Sequence, residues 1–125
     1  MPQVYMILDP SALTIMVDEE AEMYDLSRSL IRVTERVFCL EGKDDVACTI
    51  VKAVSTMNEA PIQVEVRYTA GENEYHTGTP FDPPKDIREQ LANELIAEVR
   101  HHFRDVKVSA WIKPYYRSVF KLFSN

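Results

Sequence analysis

Cysteine is scarce in this chain, and its two residues, Cys39 and Cys48, stand nine apart with no CxxC spacing. That argues against a zinc site and against a disulfide framework, and both read as small apolar filler. Positive charge is the minority sign: 14 Lys and Arg face 20 Asp and Glu, for a net charge of -6. Without a basic field, nucleic acid is disfavoured as the main partner, and so is an anionic membrane surface. No apolar run approaches the roughly 18 residues of a membrane span. The opening MPQVYMILDP lacks the positive start, apolar stretch and cleavage site of a secretory signal, so a cytoplasmic location is expected. The composition is otherwise ordinary, at 46% apolar and 27% charged, far from the signature of disorder. One domain over residues 1–125 is the expectation.

Hydrophobic periodicity then divides the chain. Gln3–Leu8 is apolar and ends at Asp9-Pro10, a strand-breaking pair. From Asp18 to Leu40, Met23, Leu26, Leu30, Val33, Val37 and Leu40 recur at steps of three and four, the stripe of an amphipathic helix. Asp18, Glu19 and Glu20 favour its start, and Gly42 offers a stop. Val46–Met57 is rich in β-branched residues, and Asn58-Glu59-Ala60-Pro61 turns it back into Ile62–Thr69 as a hairpin. Within that second run Ile62, Val64, Val66 and Tyr68 alternate with polar neighbours. A loop of about a dozen residues, holding Tyr75 and His76, separates it from a second helix. That helix is predicted with Asp82 as cap and Pro83 in its first position, and runs to about Phe103. Val106, Val108, Ala110 and Ile112 form a fourth strand that Pro114 ends, and the apolar, basic tail reads as either a short helix or an added strand.

The order is α+β, two consecutive β-α-β units giving a four-stranded mixed sheet with two helices on one face. The opposite face carries Gln63, Glu65, Arg67, Lys107, Ser109 and Trp111, a set too polar for a core. The ferredoxin-like fold is the commonest owner of this order and the alternative assignment; with it goes the reading of a non-catalytic binding module.

Pro2 directly follows Met1 at the head of the first strand. Proline is small enough for the initiator methionine to be removed, leaving a free secondary amine. A free α-amino group titrates at about 7.7–8.0, and an apolar site lowers that, so such an amine can act as a general base at neutral pH. Met1-Pro2 opening the strand and the doubled β-α-β order make the chain resemble the tautomerase superfamily over nearly its whole length. Gly42-Lys43 and Thr69-Ala70-Gly71 are similar to pocket-lining positions of its macrophage migration inhibitory factor branch.

The resemblance implies a catalytic Pro2, conditional on loss of Met1, acting on a small acidic keto-enol substrate without cofactor or metal. It implies substrate contacts from Lys43, Arg67, Ala70, Lys107 and Ser109, the last two standing where that branch has a tyrosine and an asparagine. It also implies a homotrimer with its sheets around a central channel. Retained fold with lost or changed activity is the companion reading. Each residue also has a plain one: Lys43 suits a helix C-terminus, Arg67 pairs with Glu65 across the sheet, and His101 and His102 suit the dipole of the second helix.

Overall fold

The computed structural model describes residues 2–40, 46–55, 60–70 and 81–116. Gly42 and Lys43, Asn58 and Glu59 of the turn, the loop 71–80 with Tyr75 and His76, and the tail beyond Tyr116 lie outside those residues.

Strand β1 spans Gln3–Leu8, with Val4, Met6 and Leu8 fully buried on one side. Asp9 does more than break it. Its carboxylate accepts from the Ala12 amide at 3.1 Å and the Ser11 hydroxyl, while its own amide donates to the Pro61 carbonyl at 2.9 Å. This cap starts a one-turn helix, α1, Pro10–Leu13.

Helix α2, Glu19–Val37, begins where expected. The Asp18 carboxylate accepts from the Ala21 amide, and Glu22 accepts from the Asp18 amide in return. The helix buries Met23, Leu26, Leu30, Val33 and Val37. It stops earlier than Gly42. Cys39 turns to φ 55°, its amide donates to Arg36, and the Leu40 amide donates to Glu35. That is a Schellman closure with cysteine in the left-handed position glycine usually takes, and Leu40 leaves the helix to pack against the core edge.

Strand β2 is Ala47–Lys52, shorter than the β-branched run, because its partner gives out: Lys52 lies opposite Leu8, the last residue of β1. Strand β3, Ile62–Ala70, buries Ile62, Val64, Val66 and Tyr68. Helix α3 is Lys85–His102, with Pro84 before it at ψ 167°. It does not begin at Pro83, since the following proline pushes Pro83 out of helical geometry. Strand β4, Val108–Tyr116, runs through Pro114. It is an edge strand, where a missing amide removes no ladder bond on the outer side.

The sheet order is β2-β1-β3-β4. β1 pairs parallel with β2 and antiparallel with β3, and β3 pairs parallel with β4. β2 and β3 are therefore not a hairpin, because β1 lies between them. Each β-α-β unit keeps its two strands adjacent, which is not the split unit of the ferredoxin-like alternative. Helices α2 and α3 pack on each other and on one face of the sheet, joined across their exposed sides by Arg36 and Glu94. The core lies beneath them: Leu26, Leu30, Leu91, Leu95 and Val99 meet Val4, Met6, Val64 and Val66, all fully buried. Each such aliphatic side chain contributes about 1.5–3 kcal/mol. Among the described residues no helix is long and apolar enough to cross a membrane.

Candidate functional site

Pro2 is buried, and its carbonyl accepts from the Ala47 amide at 3.4 Å. Gln3 pairs with Arg67, so one step back along β1 and one step on along β3 bring Pro2 and Tyr68 to the same end of the sheet. Both follow the alternation that turns Val4 and Val66 toward the helices. Tyr68 belongs to an aromatic cluster. Its ring meets Phe38 at 5.4 Å and Phe81 at 5.5 Å, and Phe38 meets Phe81 at 5.4 Å, all edge to face. Phe38 comes from the end of α2 and Phe81 from the approach to α3, so three separate segments wall the sheet end that holds Pro2.

On the opposite, open face one row further in, register places Gln3, Arg67 and Lys113 side by side, followed by Tyr5, Glu65 and Trp111. Glu65 is only 6% exposed. It accepts from Arg67 Nε at 3.0 Å and Nη2 at 3.2 Å, and pairs with Lys113 Nζ at 3.0 Å. The Arg67 guanidinium lies 4.5 Å from the Tyr5 ring centroid, and the Lys113 ammonium 5.6 Å from that of Trp111. The Arg67 hydrogen bond, with Lys113 behind it, holds the Glu65 carboxyl below its ordinary value against the opposing effect of burial. Two cations around one carboxylate leave this patch with a net positive charge.

The residues singled out from sequence separate here. Pro2 and Arg67 share one end of the sheet, on opposite faces, and the Ala70 backbone closes β3 at that same end, paired with Tyr116. Lys107 and Ser109 are not brought to them within this chain. Ser109 shares a row with Gln63 and Ile7, and at about 3.3 Å per residue the five steps from Pro2 to Ile7 span about 16 Å. Lys107 is exposed and precedes β4 beyond that row. Lys43 lies outside the described residues.

Lys113 is the cation that sequence reasoning passed over. Its alternation with Trp111 signals the right face, but only the register shows that Lys113, not Lys107, stands opposite Arg67. Among the described residues no group of three or more His, Cys, Asp or Glu is arranged to hold a metal ion.

No protein-family model and no curated protein sequence matches the chain. Solved structures do. Pt0534, determined after inactivation by 2-oxo-3-pentynoate, superposes with a TM-score of 0.63 at 10% identity, over 91% of this chain and 85% of its own. A native fused 4-OT gives 0.62 at 9% identity, over 91% and 87%. A 5-carboxymethyl-2-hydroxymuconate delta-isomerase gives 0.54 at 11% identity, over 93% and 82%. With its adjacent-strand β-α-β units, its β2-β1-β3-β4 sheet and these likenesses, the chain has the fold of the tautomerase superfamily.

Proposed function

We propose that the protein is a cofactor-independent tautomerase acting on a small keto-enol acid, with the Pro2 amine as general base once Met1 has been removed. The observation that carries this reading is the placement of Pro2: buried, at the head of the central strand, at the sheet end walled by Phe38, Tyr68 and Phe81. An apolar surround disfavours the charged amine and lowers its pKa from the ordinary α-amino range, which suits a base working near neutral pH. The neutral amine takes the enol hydroxyl proton. The oxygen electron pair re-forms the carbonyl, and the carbon terminus of the enol takes the proton back from the prolinium. No electron leaves the substrate.

Arg67, held in place by Glu65 and Tyr5, lies on the sheet face opposite Pro2, so it would reach the acid group only at a boundary with a neighbouring copy. A homotrimer accounts for what a single chain leaves open: two edge strands, β2 and β4, and a sheet face on which Trp111 and Val51 are each 40% exposed. Neighbouring copies would cover both.

Intact mass and a Pro2→Ala variant test the reading together. The purified protein is expected to be lighter than its full sequence by one methionine residue. Tautomerisation of phenylenolpyruvate or 2-hydroxymuconate is expected to fall about a hundredfold in Pro2→Ala, the lower range for losing a general base. Retained Met1, or undiminished turnover in the variant, would sink the mechanism.

A further inference from the structure

At the end of the sheet away from Pro2, α3 runs out and the chain turns into β4 around a concavity of about 320 Å³ lined by Arg100, Arg104, Asp105, Val106, Lys107 and Val108. Three cations and one carboxylate thus face a single small space in a chain whose net charge is -6. None of the three cations has an ion pair among the described residues. Arg100 lies in the last turn of α3, where the helix dipole accounts for a cation. Arg104 and Lys107 lie beyond that helix, where the dipole has fallen off, so their clustering leaves like charges uncompensated.

We propose that this groove binds a small organic polyanion through a phosphoryl group, at a site separate from Pro2. Arginine forks match phosphate oxygens two at a time, and a lysine adds a point charge. Val106 and Val108 give the ligand's carbon part an apolar wall, and Asp105 offers an acceptor for a ligand hydroxyl. The volume sits at the lower end of the range for small-molecule sites, which suits a ligand the size of a simple phosphate ester.

Inorganic pyrophosphate is the probe, titrated at constant ionic strength into the full chain while backbone amide resonances are followed. Saturable shifts centred on residues 100–108 are expected. The exposed pair Arg104→Ala and Lys107→Ala, combined, is expected to weaken binding about tenfold or more, the range for losing charge-assisted hydrogen bonds. Lys85→Ala, at the opposite end of α3, leaves the affinity unchanged. Shifts that never saturate, a double variant that is folded by its amide spectrum yet binds like the wild type, or an equal loss in Lys85→Ala would overturn the site. Pro2→Ala is expected to bind pyrophosphate normally, so failure of the tautomerase reading and failure of this one are told apart; weakened binding in Pro2→Ala would refute the separation.

Discussion

Glu65→Gln tests the charge cluster on the open face most directly, because it keeps the side chain's size and removes only its charge. Glu65 is 6% exposed, but Arg67 and Lys113 are 44% and 49% exposed. A fully buried pair broken on one side costs about 3–5 kcal/mol, and an exposed pair about 0.2–1 kcal/mol. Here the surviving cations regain water while the buried amide still accepts one hydrogen bond, so about 1–2 kcal/mol is expected. In a domain of this length that lowers Tm by about 3–8 °C.

The loss depends on pH with a definite sign. The folded-state pKa of Glu65 lies below its ordinary 4.5, so its stabilisation is fully present above pH 4.5 and disappears as pH falls through the depressed value. Urea unfolding at descending pH, followed by circular dichroism, should show wild type and Glu65→Gln diverging near neutrality and converging in acid. A difference that persists unchanged in acid would refute the electrostatic account, and so would the absence of any difference near pH 7.

Other perturbations have equally definite outcomes. Cys39→Gly is expected to stabilise by about 0.5–1 kcal/mol, since relief of the left-handed conformation exceeds glycine's added unfolded-state entropy; destabilisation in chemical unfolding would contradict the closure described for α2. A thiol reagent at mildly alkaline pH should modify exposed Cys39 rapidly and Cys48 slowly, because burial pushes the Cys48 thiol up despite the Ser27 hydroxyl; equal rates would count against that burial. Leu26→Ala, in the fully buried stripe of α2, is expected to cost about 2–5 kcal/mol, read from the urea midpoint.

What the sequence made legible was local. The stripe from Met23 to Val37 and the alternation from Ile62 to Tyr68 each repeat within one element, so periodicity alone places them. The end of α2 was less legible because a cysteine took the position where glycine is the usual signal. The α3 start was obscured by two consecutive prolines, which satisfy the same composition rule in two registers. Strand pairing was the larger gap. Nothing within Val46–Met57 or Ile62–Thr69 says that β1 will separate them, since that depends on contacts distant in sequence. The site inherited the same gap: Arg67 could be named from its alternation, whereas its neighbour Lys113 becomes visible only through β3–β4 register.

The central place of β1 bears on how the chain is made. β1 is synthesised before both of the strands that finally flank it, β2 and β3. Val4, Met6 and Leu8 therefore leave the ribosome before either partner exists, and the edges of their strand stay unpaired until Lys52 and then Arg67 have emerged. A fusion tag attached ahead of Pro2 would emerge from the middle of the finished sheet, at its buried end. For this fold, the position directly ahead of β1 is a costly place for inserted residues.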